Sequence, residues 1–127
     1  MRSEEILKKT AEGMKEGNKI LIQELIRDLE EKGISPVITI DGKIQKLKLI
    51  DESELEDFEE ELSKSKLQKC DFCLLEEDTT KALPNTTYPI SGNVILIHKK
   101  SAKLKKYKSS HWVADFHHDL QSNFFSN

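Results

Sequence analysis

Apolar residues in the first quarter of the chain recur at helical spacing. Leu7, Ala11, Met14, Leu21 and Leu25 follow one another at alternating steps of four and three, with Asn18 filling the gap between Met14 and Leu21. This heptad-like stripe predicts one long helix over 3–32, opened by Ser3, Glu4 and Glu5 and closed at Gly33. From residue 20 onward Ile20, Ile22, Ile26 and Leu29 widen the stripe, so the second half is expected to be buried on more than one side. Gly13 and Gly17 each weaken a helix by about 1 kcal/mol relative to Ala. Residues 1–17 are therefore expected to form a frayed or partner-dependent extension.

The period then shortens to that of a strand. Asp41-Gly42 stands between β-branched runs, a strong signal for a tight hairpin, because Gly accepts the positive φ that the turn requires. Strands are predicted at 36–40 and 43–50, with Leu47 and Leu49 on one face and lysines on the other. A second helix opens at Asp51, where Ser53 and Glu56 have capping-box spacing. Its narrow apolar side is Leu55, Phe58 and Leu62, and the rest of 51–61 is almost entirely acidic.

Cys70–Glu76 reads as a strand, and 78–92, with two prolines and a glycine, as a loop. Val94-Ile95-Leu96-Ile97 is a short apolar run expected to be a central strand buried on both faces. Residues 99–108 continue as a polar edge strand or ribbon. A last helix over 111–125 would carry the stripe Val113, Phe116, Leu120 and Phe124.

These elements predict a single α+β domain over 1–127. It would hold a small antiparallel sheet of about four strands, covered by the long N-terminal helix and the C-terminal helix, with the acidic helix on the flank. No internal repeat is present.

Composition sharpens this picture. With 36% hydrophobic and 34% charged residues in a chain of 127, apolar content is low and charge is high. A helix of 30 residues would be about 45 Å long and would overhang so small a sheet. The segment 1–33 is therefore expected to serve as a dimerisation element. Its partner-binding residues would be Leu7, Met14, Asn18, Leu21 and Leu25, with Asn18 fixing register.

Net charge is −3, which gives no global attraction to nucleic acid. The distribution is uneven. Residues 1–67 hold 12 basic and 17 acidic side chains, net −5, and residues 68–127 hold 8 and 6, net +2. The acidic block offers Glu56, Glu59 and Glu60 to a basic partner. No apolar run approaches the roughly 18 residues needed to span a bilayer, and the N-terminus lacks a signal-peptide core. The expectation is a soluble, cytoplasmic protein with no membrane partner. Outside secretion, the acceptor pattern Asn85-Thr86-Thr87 carries no meaning.

Three stretches could carry chemistry. Lys69-Cys70-Asp71-Phe72-Cys73 contains a lone CxxC. Thiolates at this spacing can share a zinc ion from a tight turn, with His98 and His111 as the remaining ligands of a structural or hydrolytic site. A strand through 70–76 would instead point Cys70 and Cys73 to opposite faces and leave them as small apolar side chains. On a helix, His111, Asp115 and His118 share a face that suits a transition metal or acid–base work, or simply water. Lys99, Lys100, Lys103, Lys105 and Lys106 with Tyr107 could track a phosphate backbone and stack a base. The same lysines guard an edge strand against aggregation.

Glycine-rich phosphate loops and nucleophile elbows are missing. The reading preferred from sequence is a non-enzymatic interaction or regulatory protein, dimeric through its first helix and without a cofactor. Zinc binding is the first alternative and nucleic-acid binding the second.

Overall fold

The structure, a computed structural model, describes residues 2–39, 43–45, 49–79 and 92–125. The Asp41-Gly42 turn, the middle of the predicted 43–50 strand with Leu47, and nearly all of the predicted 78–92 loop, including Asn85, lie outside the described residues. Helices α1 (Ser3–Glu16) and α2 (Lys19–Glu31) lead into strand β1 (Ile34–Ile38). Helix α3 (Glu52–Lys64) and a single 3-10 turn (Lys69–Asp71) follow. The chain then runs through β2 (Phe72–Asp78), β3 (Gly92–His98), β4 (Lys103–Lys108) and α4 (Trp112–Gln121). The four strands pair antiparallel in chain order, the α+β architecture expected from the sequence.

The predicted N-terminal helix forms, but in two pieces. Gly17 adopts φ +74, the left-handed conformation that glycine takes without a Cβ penalty. The Asn18 N–H then reaches back to Gly13 O at 2.9 Å and the Gly17 N–H to Met14 O at 3.2 Å. This is the Schellman arrangement that ends a helix. Asn18 does not occupy a coiled-coil seam; its side chain accepts the Leu21 N–H at 3.2 Å and caps α2. Instead of a rod of about 45 Å, the segment is a helical hairpin. Over the described residues 2–17 the expected frayed extension is not found, since Ile6, Leu7, Ala11 and Met14 of α1 are buried.

The alternation along β2 and β3 divides the core in two. Cys73, Leu75, Ile95 and Ile97 face the α1–α2 hairpin, where Ile22, Leu25 and Leu29 meet them. Phe72, Leu74, Val94 and Leu96 face the opposite way, toward α3 and α4. The run 94–97 is therefore buried on both faces, as its uninterrupted apolarity predicts. The acidic helix is not on the flank. Its Phe58 is fully buried among Phe72, Trp112 and Phe116, with ring centroids 6.3, 5.4 and 4.9 Å away.

Local capping differs from expectation by two residues. The capping box of α3 is Asp51 and Glu54, with the Asp51 N–H donating to Glu54 Oε1 at 3.0 Å, and not Ser53 and Glu56. Glu76, buried in β2, accepts the Leu49 N–H at 3.0 Å and the Ile50 N–H at 3.4 Å, which fixes the entry into α3. At the other end, Asn123 with φ +61 closes α4 and turns Phe125 into the core.

Candidate functional site

The structure does not bring the four expected zinc ligands together. Cys70 lies exposed on the 3-10 turn, with Sγ 3.3 Å from Gln68 Oε1. Cys73 is buried in β2 on the hairpin side, where its thiol donates to Ile38 O at 3.3 Å. Burial pushes the Cys73 thiol up to about 12, against an opposing pull from the Lys99 charge, so it stays protonated. His98 pairs with Phe72 and so points to the other face of the sheet. There it packs on Phe72 at 5.0 Å and hydrogen-bonds Ser101 Oγ at 2.7 Å through Nδ1. Burial lowers its pKa, assisted by Lys100 and Lys103 and opposed by Asp71. His111 stands at the N-terminal boundary of α4 without a side-chain cap, its Nδ1 2.8 Å from Ser110 Oγ and its Nε2 3.5 Å from Asp115. Among the described residues, no group of three or more His, Cys, Asp and Glu is placed to hold a metal ion.

The lysine ribbon is an edge strand whose cations are largely engaged. Lys99 Nζ donates to Cys70 O at 2.9 Å, and Lys103 Nζ to Phe124 O at 2.8 Å. Lys100 lies 3.7 Å from Asp71, Lys105 4.0 Å from Asp119, and Lys106 2.9 Å from Glu77. Burial would raise the Glu77 pKa, but hydrogen bonds from Lys106 and Asn93 outweigh it and hold the carboxyl below its ordinary value. Tyr107 is only 4% exposed and donates its hydroxyl to Asp119 Oδ2 at 2.7 Å. Burial first, then that carboxylate, pushes the phenol far above its usual range. A base has no access to its ring.

His111, Asp115 and His118 do share one face of α4, with Asp119 beside them. They line a groove against Lys105, Tyr107 and Lys108 of β4. His117 lies on another side and holds Glu61 of α3 at 2.6 Å. This tie between helices had no signal in the sequence beyond the run of histidines.

No family model, curated protein or solved structure matches the chain. The reading of function therefore rests on the surfaces themselves.

Two surfaces stand out. The first is the outward ridge of α3. Glu52, Glu56 and Glu60 follow at steps of four, with Asp57 beside them, and all four are exposed. Glu60 is paired with Lys64 of its own helix at 3.4 Å, and Glu59 with Lys69 at 3.3 Å. Glu52, Glu56 and Asp57 pair with no described residue. Like charges at i, i+4 each cost a helix about 0.2–0.5 kcal/mol.

The second surface is a cleft between α2 and β1 of about 290 Å³. Met14, Ile22, Ile26, Pro36 and Cys73 form its floor and apolar walls. Gln23, Glu30, Thr39 and Gln45 form the remaining, polar part of its lining.

The partner-binding residues expected along the first helix fall on different sides. Leu7, Met14 and Leu25 are buried against the chain's own sheet. Leu21 is half-buried against the same cluster, and Asn18 is exposed. Ile20, 74% exposed, is the largest apolar remnant of that stripe.

Proposed function

We propose that the protein is a non-catalytic interaction protein that engages a basic segment of a partner protein through the outward face of α3. The observation that carries this reading is the ridge Glu52–Glu56–Glu60 with Asp57, exposed on a helix whose opposite face is locked into the core. The ridge contributes nothing to packing and repels itself along the helix. A cationic segment laid along it relieves that repulsion, and the fixed helix sets the spacing of the side chains beforehand, which limits the backbone entropy lost on binding.

Self-association through Leu7, Met14 and Leu25 would require opening the hairpin, since those side chains already fill the space between it and the sheet. Ile20 alone is far short of the roughly 800 Å² per partner of a stable interface. Zinc binding has less support, because Cys73 and His98 point to opposite faces of the sheet. The nucleic-acid reading is weakened by the engaged lysines and the buried Tyr107.

The test is a labelled lysine- and arginine-rich peptide titrated into the protein at two salt concentrations. Binding that weakens at high salt and falls at least ten-fold in a Glu52→Gln, Glu56→Gln, Glu60→Gln variant supports the reading. Equal binding by the variant refutes it.

A further inference from the structure

We infer that the cleft between α2 and β1 is a binding site for a small cationic amphiphile: one apolar ring or branched chain carrying a protonated amine. The inference is independent of the α3 reading, because the cleft lies on the hairpin side of the sheet and α3 on the other.

The shape and lining of the cleft come first. At about 290 Å³ it is at the lower end of the range that holds a small ligand. Its floor is apolar, so burying a ring or branched chain there is favourable. The thiol at the floor adds no reactivity. Cys73 keeps its proton and gives its hydrogen bond to Ile38 O, so a bound molecule meets a small apolar surface and not a nucleophile.

Charge selects among the apolar ligands that would fit. Among the described residues of the lining, Glu30 is the one charged residue, and no described Lys, Arg or His joins it. Glu30 is exposed and pairs with no described residue. An ammonium beside it remains partly in water, so it escapes most of the cost of burying a charge. An anion in the same place would be repelled by that carboxylate.

The polar lining carries hydrogen-bonding capacity as well. Gln23 and Gln45 spend no side-chain hydrogen bond on any described residue. The position of Gln45 is fixed because its N–H donates to Val37 O at 2.7 Å, and Lys43 likewise donates to Thr39 Oγ1 at 3.2 Å. Backbone pairing thus positions Gln45, and its side-chain amide hydrogen-bonds no described residue.

The experiment is an amide-shift titration of the whole chain with three probes of one shape: 2-phenylethylamine, 2-phenylethanol and phenylacetate. The amine is expected to saturate shifts at Ile26, Thr39, Gln45 and Cys73, and to bind about five-fold tighter than the alcohol, as suits a partly solvated ion pair. Phenylacetate is expected to be weakest. Glu30→Gln, at an exposed position, should bring the amine level with the alcohol while leaving the alcohol unchanged. Ile26→Trp, which fills the cleft, should abolish all three. The inference is overturned if the amine does not bind, if its shifts lie elsewhere, or if Glu30→Gln leaves the preference for the amine intact.

Discussion

Gly13 of α1 faces Ile22 of α2 so closely that a methyl group at position 13 would come 3.4 Å from Ile22 Cγ1. That distance is ordinary van der Waals contact. The two glycines of this segment therefore have different physics. Gly13 is a helical residue beside a neighbour that can receive a side chain. Gly17 carries a positive φ with open space around it. Gly13→Ala is expected to stabilise the fold by about 0.5–1 kcal/mol through helix propensity. Gly17→Ala is expected to destabilise it by about 1–2 kcal/mol through backbone strain alone. Urea unfolding of both variants checks the pair. Two changes of the same sign would contradict a hairpin broken at Gly17.

Burial separates two apolar positions that a single dimer stripe would group together. Leu25 is 6% exposed and belongs to the core of the hairpin, whereas Ile20 projects into water. Leu25→Asp should lower stability by more than 3 kcal/mol or abolish folding, because it buries an unpaired charge. Ile20→Asp should change stability by no more than about 0.5 kcal/mol. A folded but dissociated Leu25→Asp protein, found by circular dichroism and light scattering together, would restore the dimer.

The two cysteines should react at very different rates. Cys70 is exposed on its turn, and Cys73 is buried with its thiol proton held. Iodoacetamide at pH 8 is expected to modify Cys70 in the native protein and to reach Cys73 only after unfolding. Mass spectrometry of a time course distinguishes one adduct from two.

Acid should act on the two sides of the sheet through different groups. The folded pKa of His98 lies below its ordinary 6.5, so the unfolded chain takes up the proton first. Stability from this residue is full above 6.5 and declines as pH falls from there toward the folded value. Glu77 is held below its ordinary 4.5, so its contribution is present above 4.5 and is lost as pH falls through the lower folded value. Unfolding free energies against pH should lose the first decline in His98→Gln and the second in Glu77→Gln.

Much of the architecture could be read from the chain because it is written in periodicity. The uninterrupted 94–97 run demands cover on two sides. The stripe Leu55, Phe58, Leu62 could only be a helix facing a core. What escaped reading was the break at Gly17-Asn18. A hairpin of two helices preserves the four-three spacing on either side of a short turn, so the pattern alone cannot distinguish it from a rod. Only the pairing of a left-handed glycine with a capping asparagine carries the signal.

Side-chain chemistry was less legible for a related reason. Cys73 and His98 are far apart in sequence, and which face each takes depends on strand register, here Phe72 opposite His98. Tyr107 looked free because its neighbours are lysines. Its burial follows from where α4 lands, and the sequence of β4 does not contain that information. The buried carboxylate Glu76 likewise had no local mark, since its partners are the backbone N–H groups of Leu49 and Ile50.

The central claim is that α3 presents its carboxylates to a basic partner. The most direct test is an amide-shift map of the protein titrated with an arginine-rich decapeptide at physiological salt. The account predicts saturable shifts confined to α3 and the facing turn of α4, absent in the Glu52→Gln, Glu56→Gln, Glu60→Gln variant, whose stability stays within about 0.5 kcal/mol of the parent. Shifts spread evenly over acidic residues such as Glu4, Glu12 and Glu24, and retained in the variant, would contradict it.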